Sequence, residues 1–339
     1  MGTPTSEFSY DLPEGTIAQH PVEPRDASRL LNADDLTDHA FSDLPALLSP
    51  GDVVVVNRSR VRAARLIGTK VGSGGRVEVL LLRLITGNLW EAVVRPARRL
   101  RPGTSIVFGP IQATIETALA DGVVEISMRA EGSIDDAIAA TGTVPLPPYI
   151  HERLADPERY QTMFARQVGS AAAPTAGLHF TPAVIAGLRA RSIEVVEIDL
   201  QVGLDTFRPI TSASIEDHQI HSESLTVPSE AADAINRRRG DVVAVGTTVV
   251  RALETMARPD GRVEPGSVDT SLYITPGYRF KVVDRLVTNF HLPATSLIVL
   301  VASFIGARWR VAYATALDRS YRFASFGDAM IATRAENES

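Results

Sequence analysis

The sequence predicts an α/β protein, an α/β main domain interrupted by a small inserted β domain that is a closed barrel or a sandwich. Three observations carry this expectation. The chain has 339 residues and 45% hydrophobic content, room and core-forming material for two domains at about 150 residues each. Short β-type runs crowd the stretch 51–128. From Thr181 onward the pattern changes to an alternation of helix-like and strand-like segments.

In the first stretch the β-type runs are 53–56, 61–67, 77–82, 90–94, 105–108, 113–117 and 123–128, most of them separated by Gly, Pro or Asp. Six or seven short strands at this spacing close a small barrel or sandwich. The segment Pro145-Leu-Pro-Pro-Tyr149 reads as an extended return linker, since proline fixes φ and restrains its predecessor. Helix starts follow at Thr181-Pro182, Ser229-Glu230, Thr247 and near Thr295, each with Ser or Thr at or beside the N-cap. The strand-like runs between them are 194–200, 242–245, 271–274 and 285–289. The N-terminal 50 residues join this α/β part most simply, so the expected domains are 1–57 with 150–339, and 58–149.

Composition narrows the chemistry. There is no cysteine, which excludes disulfides, thiolate nucleophiles and cysteine-bound zinc or iron–sulfur clusters. The net charge is −6, against a protein coated in basic surface for bulk nucleic-acid binding. Locally the balance inverts. Residues 58–101 hold eleven basic side chains and two acids, a charge of +9 that leaves −15 for the rest. Such a stretch is either a solvated strand face or a surface that tracks phosphates. All but two of the basic residues, Lys70 and Lys281, are arginines, whose planar forks suit carboxylate and phosphate contacts. Apolar runs such as 297–304 are too short for a membrane-spanning helix of about 20 residues, and residues 1–10 are polar. A soluble, cytoplasmic monomer is expected.

Several motifs could carry chemistry. In Ala173-Pro-Thr-Ala-Gly-Leu-His-Phe-Thr181, small residues that let backbone approach a ligand precede His179, an imidazole able to move a proton near neutrality. In Val242-Val-Ala-Val-Gly-Thr-Thr-Val-Val-Arg251, a buried-type strand passes through Gly246 into a helix, the geometry of a ligand crevice at a helix N-terminus. It has neither dinucleotide-fingerprint spacing nor a phosphate-loop lysine. Thr288-Asn-Phe-His-Leu-Pro293 again puts polar side chains at a strand end. His218-Gln-Ile-His-Ser-Glu223 has metal-like residue types, but not the spacing of a helical zinc site. Tyr321-Arg322-Phe323 could stack on a base or close the core. Taken alone, a histidine such as His179 is more often structural than catalytic. From the residues alone the reading ends at an α/β enzyme with a ligand crevice and a basic β insert.

Taken in order, Tyr10-Asp-Leu-Pro13, Ala18-Gln-His-Pro21, Glu23-Pro-Arg-Asp-Ala-Ser-Arg-Leu30, Gly51-Asp-Val-Val-Val-Val-Asn57, Pro145 to Ile150, Tyr160-Gln-Thr162, the 173–181 block, 218–223, Ala244-Val-Gly-Thr-Thr248, 288–293 and 321–330 resemble the S-adenosylmethionine:tRNA ribosyltransferase-isomerase family of queuosine synthesis, over nearly the whole chain. The resemblance implies transfer and isomerisation of the ribosyl group of S-adenosylmethionine onto a 7-aminomethyl-7-deazaguanine in the tRNA anticodon loop, giving epoxyqueuosine, adenine and methionine. It implies a mixed α/β main domain with an inserted small antiparallel β-barrel domain, S-adenosylmethionine as cosubstrate, tRNA as partner, and neither metal nor redox cofactor. The sulfonium acidifies the ribose 5′ protons, so a base is needed, and a second group must assist adenine departure. His179 or His291 is expected to transfer the proton. Thr175, Gly177, Gly246, Thr247, Thr248, Arg251 and Asn289 are expected at the cosubstrate, and Arg95, Tyr149, Gln201, Arg208, His221, Glu223 and Arg322 at the acceptor. Gln201 and Asp205 depart from the family pattern, which has histidine and glycine there, so two other readings stay open at this point: a paralogue acting on a free nucleoside or other small acceptor, and a non-catalytic RNA-binding protein.

Overall fold

The computed structural model describes residues 2–119, 122–152, 154–203, 209–220 and 222–336. Two units are present: Met1–Arg60, Pro147–Val168 and Ala173–Ser339 form the larger, and Val61–Leu146 with Gly169–Ala172 the smaller. The larger unit opens with β1 (Arg29–Asn32), β2 (Thr37–Ala40), the short helix α1 (Leu44–Leu47) and β3 (Val53–Asn57). Strand β4 (Ser59–Val61) then carries the chain into the smaller unit.

There β5 (Arg65–Lys70), β6 (Arg76–Thr86), β7 (Leu89–Arg95), β8 (Ser105–Phe108), β9 (Ile111–Ala118) and β10 (Val123–Arg129) form a closed antiparallel barrel in the order β10-β7-β6-β5-β8-β9. Alternate residues fill it: Val77, Val79 and Leu81 from β6, Trp90, Ala92 and Val94 from β7, and Val124, Ile126 and Met128 from β10 are all buried. That two-residue period is what the pleat of a half-buried strand demands. Helix α2 (Ile134–Thr141), capped by Ser133, adds Ile138 to the same core. The stretch 61–67, expected as one strand, is two. Ala64 N–H bonds Arg62 O at 2.7 Å, a three-residue turn that breaks the ladder and drops Ala64 into the barrel core.

The chain returns to the larger unit at Pro147, passes through β11 (Gln167–Ser170) into the smaller unit for Gly169–Ala172, and is in the larger unit again from Ala173. It continues as α3 (Pro182–Ala190), β12 (Glu194–Leu200), β13 (Glu223–Val227), α4 (Ser229–Arg237), β14 (Val242–Val245), α5 (Thr247–Thr255), β15 (Gly266–Thr270), β16 (Arg285–Asn289), α6 (Ser296–Ile305), α7 (Arg308–Asp318) and β17 (Ala329–Thr333). Nine strands make one mixed sheet, β15-β13-β12-β3-β14-β16-β17-β1-β2. Its middle, β12, β3, β14 and β16, is parallel. The all-apolar runs of β3 and β14 are completely buried, as strands covered on both faces must be. Val53–Asn57, the first of the β-type runs, therefore belongs to this sheet and not to the barrel.

Thr181 and Thr295 cap α3 and α6, accepting from Val184 N at 3.3 Å and Ile298 N at 3.4 Å. At α4 the N-cap is Pro228, with Ser229 already inside the helix. The strand expected at 271–274 is displaced: β15 ends at Thr270, whose Oγ1 accepts from Leu272 N at 3.1 Å and turns the chain off the ladder. Among the described residues no single helix is long and apolar enough to cross a membrane.

Candidate active site

A parallel sheet opens at the carboxyl ends of its strands, where the chain must turn into the next helix. Here Gly246 follows the end of β14 and Asn289 ends β16, and between them lies a cleft of about 610 Å³, counting the space open to solvent. Its floor and walls include Thr175, Gly246, Thr247, Thr248, Asn289 and His291, with Tyr149, Leu297 and Ser325 at the sides.

Gly246 makes the turn with φ +93°, a conformation that carries real strain for any residue with a Cβ. Its N–H bonds Val287 O at 2.7 Å, and its carbonyl receives Val249 N at 3.1 Å. The amides of Thr247 and Thr248 have no acceptor among the described residues. Both residues line the cleft, at the positive end of α5. Thr248 Oγ1 is buried without a hydrogen-bond partner among the described residues, a polar atom awaiting a ligand. Gly246→Ala is expected to cost about 1–3 kcal/mol, read as a lowered urea midpoint, and to weaken ligand binding by displacing these amides.

Asn289 is the hub of a buried chain of hydrogen bonds. Thr175 Oγ1 donates to its Oδ1 at 3.0 Å, and its Nδ2 donates to His179 Nε2 at 3.1 Å. His179 Nε2 is thereby an acceptor, so Nδ1 carries the proton and donates to Ser28 Oγ at 2.7 Å. The ring stacks on Phe41 with centroids 4.9 Å apart. Burial pushes its pKa down to about 4, a shift that Asp328 opposes and Arg322 and Arg25 reinforce. His179 is neutral at pH 7, has both nitrogens occupied, and does not line the cleft.

His291 does line it. Its backbone is clamped on both sides: its N–H bonds Tyr313 OH at 3.0 Å, and its carbonyl accepts from Tyr10 OH. Its Nε2 meets Thr288 Oγ1 at 3.0 Å, and its Nδ1 makes no hydrogen bond among the described residues. Burial pushes its pKa down to about 3, so this imidazole too is neutral.

The other expected site residues divide by location. Tyr149 borders the cleft, its hydroxyl 2.7 Å from Ser325 Oγ. Gly177 lies in the turn Thr175–His179, away from the cleft lining, where a Cβ would come within 3.1 Å of Thr162 Cγ2. Arg251 and Glu223 form a buried ion pair in a second cavity. Arg322 pairs with Asp328 at 3.0 Å and lines a third, smaller one. Gln201 is exposed, held by its backbone to Ser224 O at 2.9 Å, and lines none of the three. Arg95 is exposed at the end of β7 in the smaller unit. Arg208, His221 and Asp205 lie outside the described residues. Tyr273 of the second cavity carries no motif that singles it out in the sequence, and Ser325 of the first lies within the 321–330 block without being picked out of it. Among the described residues no group of three His, Asp or Glu side chains is placed to hold a metal ion.

A ligand cleft at the carboxyl ends of parallel strands, lined by polar side chains, unsatisfied amides and one neutral imidazole, defines an α/β enzyme for a small polar ligand, with a barrel unit beside it in sequence. Residues 5–332 match the family model described as queuosine biosynthesis protein, and the chain belongs to that family. It is 50% identical, over 96% of its own length and 98% of the relative's, to the S-adenosylmethionine:tRNA ribosyltransferase-isomerase of Moorella thermoacetica. The enzyme of that name from Thermosynechococcus vestitus is 47% identical over 96% of this chain and 94% of its own. Among solved structures, an S-adenosylmethionine tRNA ribosyltransferase from Thermotoga maritima matches with a TM-score of 0.54 and 35% identity, covering 96% of this chain and all of that one.

Proposed function

We propose that this chain transfers and isomerises the ribosyl group of S-adenosylmethionine onto the aminomethyl group of a 7-aminomethyl-7-deazaguanine in the tRNA anticodon loop. The products are epoxyqueuosine in the tRNA, adenine and methionine. The observation that carries this reading is the 50% identity, over 96% of the chain, to a relative bearing the name of that reaction.

The cleft supports a division of labour. The cosubstrate brings a sulfonium, which an imidazolium would repel and a neutral imidazole would not. Burial keeps His291 neutral, and in the tautomer whose Nε2–H donates to Thr288 Oγ1 its Nδ1 lone pair is the acceptor we assign to the 5′ proton. Thr248 Oγ1, the Thr247 and Thr248 amides and Asn289 hydrogen-bond the adenosyl group and assist adenine departure. His179 is a positioning residue: held by Ser28, it fixes the Asn289 amide. This proton-transfer route calls for no metal or redox group, and the absence of cysteine from the sequence removes the cysteine-bound cluster that radical chemistry on this cosubstrate needs.

The test is adenine and methionine release from S-adenosylmethionine with and without an anticodon stem-loop bearing the aminomethyl-deazaguanine. Release that requires the RNA is expected. Release without RNA would instead favour a small acceptor, and salt-sensitive RNA binding with no release a non-catalytic protein.

For tRNA we propose the arginines on the barrel. Much of the positive stretch is neutralised internally, since Arg62, Arg65 and Arg83 pair with Asp135, Glu78 and Glu91 at 3.2, 2.9 and 2.8 Å. Arg95, Arg98, Arg99 and Arg101 are exposed, and none of them has an ion pair among the described residues. Replacing Arg98, Arg99 and Arg101 together by serine is expected to weaken stem-loop binding. It should also flatten the slope of log K against log salt by about 2, since each phosphate no longer neutralised removes about 0.7–0.9 from that slope. Fluorescence anisotropy across a salt series checks it.

A further inference from the structure

The second cavity, about 570 Å³ with its solvent-open part, adjoins the cleft: Leu297 lines both, and the two run along successive turns of α5. Thr247 faces the first and Arg251, four residues on, the second. The helical rise puts these positions about 6 Å apart on one face. The walls are apolar, from Leu272, Ile274, Leu297 and Leu300. One end is not. There the Arg251 and Glu223 side chains, 7% and 5% exposed, form an ion pair. Arg251 Nε donates to Leu272 O at 3.1 Å, and Glu223 Oε1 accepts from Gly203 N at 2.7 Å. Arg251 Nη2, by contrast, is buried with no partner among the described residues, and so is the hydroxyl of Tyr273 on the same cavity.

Buried donors left unsatisfied cost stability unless a ligand meets them. Two orphan donors ask for an anion. A simple anion such as phosphate would also face the Glu223 carboxylate, which is already paired with Arg251 and the Gly203 amide and would repel it, whereas it would tolerate an ammonium. A group carrying both charges on neighbouring atoms satisfies the two requirements at once. We propose that this cavity receives the α-amino-acid head of S-adenosylmethionine, its carboxylate on Arg251 Nη2 and Tyr273 OH and its ammonium on Glu223, with the two methylenes toward the sulfonium lying along Leu297. This rests on the reading of the neighbouring cleft as the adenosyl site. It makes Arg251, Glu223 and Tyr273 the residues that distinguish the complete cosubstrate from its fragments, and it gives the released methionine a compartment separate from that of adenine.

The experiment compares equilibrium binding of S-adenosylmethionine, its decarboxylated analogue and 5′-methylthioadenosine to the full chain and to Tyr273→Phe, which removes only a hydroxyl. The parent is expected to bind the decarboxylated analogue about 10- to 100-fold more weakly than S-adenosylmethionine, the range for charged hydrogen bonds left unmade. Tyr273→Phe should weaken S-adenosylmethionine severalfold and leave the decarboxylated analogue unchanged. A double variant, Arg251→Met with Glu223→Gln, leaves no buried charge unpaired and should bring the three ligands to within a few-fold of one another. Equal binding of S-adenosylmethionine and its decarboxylated analogue to the parent would overturn the assignment, as would undiminished discrimination in the double variant. RNA-dependent adenine release in the presence of such equal binding would reject this pocket while leaving the proposed reaction standing. Absence of release would reject that reaction.

Discussion

Lowering the pH from 6.5 to 4.5 is expected to destabilise the larger unit by about 4 kcal/mol through two histidines alone. Burial holds His179 at about 4 and His291 at about 3, whereas in the unfolded chain each titrates near 6.5. Below that value the unfolded state binds protons that the folded state refuses, so stability falls as the pH drops from about 6.5. The decline levels off only below the folded values, once both imidazoles are charged in the native state too. Urea unfolding at the two pH values checks the size. A His179→Asn variant should show roughly half of the dependence. The same displacement has a catalytic corollary. The His291 imidazole is in its basic form throughout the neutral range, so no acid limb belonging to it should appear in kcat/KM above about pH 4.

The second large effect concerns that imidazole directly. His291→Gln is expected to lower kcat/KM by about 100- to 10,000-fold, the span general-base catalysis supplies, while changing the Kd for S-adenosylmethionine by less than about 3-fold. A fall in kcat with binding intact identifies an interaction made only in the transition state. His179→Asn should behave differently. It removes the ring that holds Asn289, so both binding and turnover should fall together and modestly. RNA-dependent adenine release, with separate binding isotherms, resolves the two patterns. Equal and full activity of both variants would leave the cleft without its proton acceptor.

The parts of the fold that bury a face are legible from sequence, and the parts that do not are not. The valine-rich runs of β3 and β14 and the alternation Val77, Val79, Leu81 in β6 state their environment by composition alone. Strand β15 escapes because four of its five residues are exposed and it shows no apolar rhythm. Strand β2 escapes similarly, as Thr37-Asp-His-Ala40 is too polar to read as sheet. The site divides along the same line. A glycine between a buried strand and a helix, and polar residues interrupting an apolar strand end, mark Gly246, Thr247, Thr248, Asn289 and His291 by local pattern. The occupation of His179 depends on Ser28, 151 residues away, and the Glu223 pair with Arg251 depends on β13 lying beside α5. Neither follows from local pattern. The departure at Gln201 looks weighty as chemistry, yet the residue is exposed and lines none of the three cavities formed by the described residues.

The central claim is that S-adenosylmethionine reacts in the cleft at the carboxyl ends of β14 and β16. A crystal structure of the complex with the unreacted cosubstrate tests it most directly. The adenosyl group is expected within hydrogen-bond distance of Thr248 Oγ1 and the Thr247 and Thr248 amides, with the ribose 5′ carbon facing His291. Density for the adenosyl group in another cavity, with this cleft empty, would contradict it.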